Sequence, residues 1–171
     1  MRFFAVIGLV AILLAIGSAL YFFGGYYNVA AAQPDNSTVA WAIGQVREAS
    51  IESRAPATAP VNLEEPSLIE AGAGAFAARG CATCHGAPGA TWAKFAGGMR
   101  PVPADLTEVA KSDAPGAIFW VIKNGLNMTG MPSFGRIKVQ DSEIWAITAF
   151  VKKLPSVSPD DYKKWAAAGA P

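Results

Sequence analysis

The apolar positions of this chain form one long block followed by several short periodic ones. Residues 3–23, FFAVIGLVAILLAIGSALYFF, run without a charge. At about 1.5 Å rise per residue, a helix of this length crosses a hydrocarbon core of about 30 Å, so the block predicts a membrane span. Val39, Ile43, Val46 and Ser50 then recur on one helical face and predict a helix over 39–54, capped by Ser37 or Thr38. Residues 55–66, APATAPVNLEEP, lack a period and are rich in Pro and Ala, which predicts a linker and a domain boundary.

From residue 67 the pattern is that of a small helical domain. A helix over 67–79 has Ser67 and Glu70 in capping-box spacing and stops at Gly80. Asp105 and Glu108 mark a short helical turn at 105–111. Residues 114–124 follow an Asp113 cap, carry Pro115 in the first turn and stop at Gly125; IFWVI alone would also suit a strand. The clearest helix is 141–153, DSEIWAITAFVKK. Asp141 is its expected cap, Ile144, Ile147, Phe150 and Val151 its apolar face, and Pro155 its stop. A last helix starts at Ser158 with Pro159 at its first position and offers Tyr162 and Trp165 for packing. Between these, residues 86–104 (GAPGATWAKFAGGMRPVPA) read as a loop that wraps something rather than packing as an element. The expected architecture is all-α. It comprises an anchor at 1–25, an exported connecting segment at 26–66 and a helical domain at 67–171.

Charge gives the span a direction. Arg2 precedes it and no Lys or Arg follows until Arg47, so the amino end stays cytoplasmic and the remainder is exported. Tyr21, Phe22, Phe23, Tyr26 and Tyr27 suit an interfacial aromatic belt. Ala30 and Ala32 also offer a signal-peptide cleavage site, but the apolar run exceeds the usual about 7–15 residues, which favours a retained anchor. The whole chain carries a formal charge of +1. Split at residue 66, the front has 3 basic and 5 acidic residues and the back 11 and 8. This mild bias, without a Lys/Arg tract, excludes a nucleic-acid partner.

Both cysteines and the sole histidine lie in Gly80-Cys81-Ala82-Thr83-Cys84-His85-Gly86. Structural zinc needs four ligands, and the chain has no second pair. A redox thiol pair belongs beside a βαβ pattern, which is missing, and a disulfide across two residues closes a negligible loop. Covalent haem attachment needs only what is present: each thiol adds its S–H across a vinyl group to give a thioether, and His85 is directed at the iron. The sixth position then falls to a thioether of Met99, Met128 or Met131. Met131, between Gly130 and Pro132, suits a rigidly presented ligand, and Met128 is the runner-up in the same loop.

CATCHG, together with GAGAF, PADL, IFWVIKNGLNMTGMPSFG and EIWAITAFVKKLP, resembles the class I c-type cytochromes, and among them the membrane-anchored monohaem proteins of bacteria. The resemblance covers roughly residues 67–155. It implies a class I cytochrome c-like haem domain behind a transmembrane helix and linker, with first and last helices crossing at Gly72, Phe76 and Phe150. It implies one covalent haem c held by Cys81 and Cys84, with His85 and Met131 as axial ligands, and Leu106, Phe119 and Trp120 lining the crevice. A proline carbonyl, of Pro101 or Pro103, would receive the imidazole hydrogen bond that orients His85.

His/Met ligation fills both axial positions and leaves no site for a small-molecule substrate, so the expectation is an electron carrier and not an enzyme. The donor would be a quinol-oxidising complex or dehydrogenase and the acceptor a terminal oxidase or reductase, with the haem domain in the periplasm on the inner membrane. Lys94, Arg100, Lys123, Arg136 and Lys138 flank the crevice loops and would steer it to an acidic partner, or simply form a solvated face. A fixed haem subunit of a respiratory or dehydrogenase complex is the main alternative. A haem enzyme or gas sensor with a labile methionine, and a non-haem thiol protein, complete the set.

Overall fold

Among the described residues, 2–168 of this computed structural model, every regular element is helical, and IFWVI falls in a helix. They divide into two compact units, one ending at Asp35 and the other beginning at Asn36.

The first unit is α1 (Arg2–Phe23), 22 residues with a mean hydropathy of 2.7 and no buried side chain. It is long and apolar enough to cross a membrane. At its carboxyl end the rings of Tyr21, Phe22 and Tyr27 cluster with centroids 5.2–6.1 Å apart.

The second unit contains α2 (Ser37–Glu52), α3 (Pro66–Ala78), α4 (Cys81–His85), α5 (Leu106–Ser112), α6 (Pro115–Asn124), α7 (Asp141–Lys153) and α8 (Pro159–Ala168). Its centre is the crossing of α3 and α7. A Cβ on Gly72 would lie 1.9 Å from the Ala146 carbonyl oxygen, so only glycine lets the two backbones approach this closely. Phe76 and Phe150, both fully buried, meet there with ring centroids 5.2 Å apart. Burial of two such rings contributes roughly 2–3 kcal/mol each. Tyr162 of α8 stacks on Phe150 at 5.7 Å and meets Phe76 edge-on at 6.5 Å. The expected crossing residues are thus together. The fully buried Thr148 of α7 satisfies its hydroxyl on the Ile144 carbonyl at 2.9 Å.

Helix ends depart from the sequence reading where a better local partner exists. Asn36, not Ser37 or Thr38, caps α2, accepting from the Thr38 and Val39 amides at 3.1 and 3.2 Å. Pro66 takes the first position of α3, where its missing N–H costs nothing, and Ser67 turns to Glu65 instead of forming a box with Glu70. Ala114 rather than Asp113 starts α6. Asp141 forms an ion pair with Lys123 at 2.7 Å and leaves the cap of α7 to Gln140. Asp105 caps α5, through the Thr107 amide at 2.8 Å, and the helix runs from Leu106 to Ser112 where the sequence predicts a short turn at 105–111.

Residues 53–65 are not a free linker. Ala59 and Leu63 pack against the core, Glu64 pairs with Lys153 of α7 at 3.6 Å, and the Pro56 carbonyl rests on α6 where a Gly116 Cβ would be 1.9 Å away. Apolar side chains and a glycine notch secure a segment that has no periodicity of its own. With α2, which packs on α6, it belongs to the same compact unit as the cytochrome-like helices.

Candidate haem site

Two chain segments carry the residues singled out by sequence, and each is tied to a helix end. The first begins where α3 stops. Gly80 takes φ 74°, a left-handed conformation that costs other residues roughly 1–2 kcal/mol, and α4 starts at once. Cys81 and Cys84 are one turn apart on α4, and His85 is its last residue. The chain turns back through Ala87 and Ala90, bonded to each other in both directions at 2.9 Å, and the Ala93 amide returns to the Thr83 carbonyl at 2.8 Å. A 3-10 turn at Lys94–Gly98 buries Ala96, and the strand-free run to Asp105 brings the Ala104 carbonyl to His85.

That contact sets the chemistry of the histidine. Nδ1 lies 2.9 Å from the Ala104 oxygen, which can only accept, so in the neutral ring Nδ1 is the protonated nitrogen and Nε2 the one whose lone pair is left for a metal. The acceptor is neither Pro101 nor Pro103. One residue of register, invisible in a run of alternating prolines, separates the expectation from the structure.

The second segment leaves α6. Gly125 takes φ 68°, and a Cβ there would meet the Met131 carbonyl, Pro132 and Ser133 at 2.8 Å. The last carbonyls of α6 have no helical partners. The loop satisfies them: Phe134 N–H donates to Ile122, and the Gly135 N–H and the Ser133 hydroxyl donate to Lys123, at 2.8–3.2 Å. Within the loop the Thr129 hydroxyl donates to the Leu126 carbonyl at 2.8 Å and accepts from the Met131 amide at 3.1 Å. Met131 is half-buried against the core, whereas Met128 is 80% exposed at φ 60°.

Phe119 stacks on Trp145 at 4.1 Å in the core, and Leu106 and Trp120 are half-buried. Trp145 escaped the sequence reading, although it lies beside Ile144 in the most periodic helix. So did the bidentate pair of Arg79 with Glu143, at 2.7 and 3.0 Å, which joins the end of α3 to the start of α7. Lys123, counted among the steering cations, is neutralised by Asp141 and sits 5.5 Å over the Phe119 ring.

The donor set fits a haem. Among the described residues no three His, Cys, Asp or Glu side chains gather around a point that would hold a bare ion. Burial, reinforced by the neighbouring Cys84, pushes the Cys81 thiol up to about 11, against the partial screening of its own backbone N–H and Arg79. Such a thiol is a poor redox nucleophile at neutral pH. Trp92, Phe95, Val102, Met128 and Ile137 are large apolar side chains left exposed, all in the two segments that bear the site. A flat apolar cofactor would cover surface of that kind.

Residues 67–151 match the family model of cytochrome c oxidase, cbb3-type, subunit III. No curated protein and no solved structure gives a significant match. The matched segment spans α3 to α7, that is, the CATCH helix, both loops and the Gly72 crossing. With a C-x-x-C-H helix, an all-helical frame and this family match in agreement, residues 67–151 are a c-type cytochrome domain, following an apolar amino-terminal helix in the sequence.

Proposed function

We propose that the protein is a membrane-anchored electron carrier with one covalent haem c, attached through Cys81 and Cys84 and ligated by His85 and Met131. The observation that carries this reading is the pairing of His85 Nδ1 with the Ala104 carbonyl, which leaves Nε2 as the free donor. Haem c, when bound, supplies a one-electron couple at its iron. The chain's residues do the rest. The Cys81 and Cys84 sulfurs fix the group, Ala104 fixes the imidazole plane, and the loop on the end of α6 presents Met131. With α1 retained in the inner membrane and the second unit in the periplasm, donor and acceptor would be neighbours in that membrane: a quinol-oxidising complex or dehydrogenase, and a terminal oxidase or reductase.

The test is the absorption spectrum of protein made with an intact haem-attachment system. A covalent haem band is expected, with a sulfur-to-ferric-iron charge-transfer band that Met131→Ala removes and Met128→Ala keeps. Loss of the band in Met128→Ala alone would transfer the sixth position to Met128, and lack of covalent haem would end the reading. Rapid carbon monoxide binding to the reduced protein would point instead to an enzyme or sensor with a labile methionine.

The family description favours a second reading, a fixed haem subunit of an oxidase. In that case mild detergent extracts the chain with partner subunits in stoichiometric amount. A chain that comes out alone and still exchanges electrons is a carrier.

A further inference from the structure

We propose that Met99 is a positioning residue that clasps the Met131 loop to the loop carrying Ala104; this rests on Met131 being the sixth ligand. The two loops are separated in sequence by α5 and α6. Among the described residues no hydrogen bond or ion pair joins 86–104 to 125–135. The Met99 side chain does touch both. The Met99 methyl lies on Gly130, where an added Cβ would be 1.8 Å from Cε and 3.5 Å from Sδ. Gly130 is not among the glycines with positive φ, so its backbone does not require glycine. The space above its Cα is taken by the end of the Met99 side chain, which a Cβ would push aside.

The base of the clasp is anchored. The Met99 amide donates to the Ala96 carbonyl at 3.1 Å, Ala96 is fully buried, and the Arg100 guanidinium donates to the Met99 carbonyl at 3.0 Å. A flexible thioether on a fixed backbone bridges an irregular gap with little strain. Its neighbour along the chain from Gly130 is Met131 itself. Met99 therefore acts on the ligand loop by contact and not by ligation, which separates it in role from the other two methionines considered for the iron.

The experiment uses the full-length holoprotein in detergent. Imidazole is added to the ferric form, and the rate at which it displaces the thioether is read from loss of the charge-transfer band. Met99→Ala removes the clasp. Gly130→Ala expels the methyl while leaving methionine in place, so the proposal does not depend on one variant. Each single variant is expected to speed displacement roughly tenfold, as local opening of an unclasped loop becomes easier. The double variant is expected to be no faster than either single, because the two changes break one contact. Lys152→Met, which weakens the fold at the end of α5, leaves the rate unchanged. Wild-type rates in either single variant, rates that multiply in the double, or acceleration by Lys152→Met, overturn the clasp. A wild-type protein without the charge-transfer band, or a Met131→Ala variant that keeps it, overturns the ligand assignment and the clasp with it.

Discussion

Gly72→Ala tests the crossing on which the domain is built. The added Cβ would sit 1.9 Å from the Ala146 oxygen, 2.5 Å from the Ala146 carbonyl carbon and 3.0 Å from Phe150 Cβ. Two of these atoms are backbone in the middle of α7 and cannot rotate aside. Restoring ordinary contact at 3.4 Å requires α3 to move about 1.5 Å away. A gap of about 0.5–1 Å already forfeits a quarter to a half of the dispersion well, and it opens between Phe76 and Phe150. Overpacking of this kind costs about 1–3 kcal/mol and sometimes more, against a gain of about 1 kcal/mol from the better helix propensity of alanine. Because both partners are backbone, we expect a gross cost above that range, about 4 kcal/mol, and so a net loss of about 3 kcal/mol from a total of about 5–15. In thermal melts of the full-length holoprotein, followed by haem absorbance and circular dichroism, the midpoint should fall by roughly 10 °C. Gly44→Ala is the control. It makes the same change inside α2, where the nearest atom to a new Cβ is a mobile Arg47 nitrogen at 3.9 Å, and should stabilise by about 0.5–1 kcal/mol. If Gly72→Ala is as neutral or stabilising as Gly44→Ala, α3 and α7 do not cross at this point.

The Lys152 ammonium donates to the Ala110 and Asp113 carbonyls at the end of α5; Lys152→Met should cost about 1–2 kcal/mol in urea melts by removing the donor from the part-buried Ala110 carbonyl. Burial, and secondarily a thiolate at Cys81, raise the Tyr162 phenol above its ordinary value of 10.0. A raised folded value favours the protonated, folded state, so this contribution is complete below about pH 10 and is lost as pH rises through the folded value. Tyr162→Phe should therefore flatten the fall in urea midpoint between about pH 9 and pH 11. Thioether attachment removes the Cys81 charge, leaving burial as the cause in the holoprotein. Gly116→Ala should displace the Pro56 carbonyl and speed tryptic cleavage after Arg54, read by mass spectrometry; an unchanged rate would mean that the segment is held elsewhere.

Periodicity made most of the helical frame legible. The apolar face of 141–153 identified α7, and Gly80, Pro115 and Gly125 marked the ends of α3 and α6, because chain conformation there depends on residues a few positions away. Caps were read less well, since Asp141 chose Lys123, eighteen residues distant, over its own helix amides. The attachment motif is local and was plain, as was the concentration of glycine and proline around it. The Ala104 acceptor was not, because one step of register in RPVPADL changes which carbonyl faces the imidazole and leaves no trace in composition. Trp145 on Phe119 and Arg79 on Glu143 are pairings between elements, decided by how α3, α6 and α7 pack. The packed segment 53–65 looked like a linker because its contacts come from isolated residues, Pro56, Ala59 and Leu63, and not from a repeated face.

That segment places the boundary between the two compact units ahead of α2 and not after it. A hinge at 55–66 would let the haem domain swing free of α2. With the Pro56 carbonyl seated on Gly116, and Ala59 and Leu63 in the core, α2 belongs to the same compact unit as the helices that follow it. Only residues 24–35 then separate the end of α1 from the cap of α2, a run of at most about 40 Å. For a domain whose anchor stays in the bilayer, the radius of its search is set by that short collar next to the membrane. If α1 stays in a bilayer as proposed, lengthening the collar would widen the domain's search, whereas inserting residues near Thr58 would add only a bulge to the domain's surface.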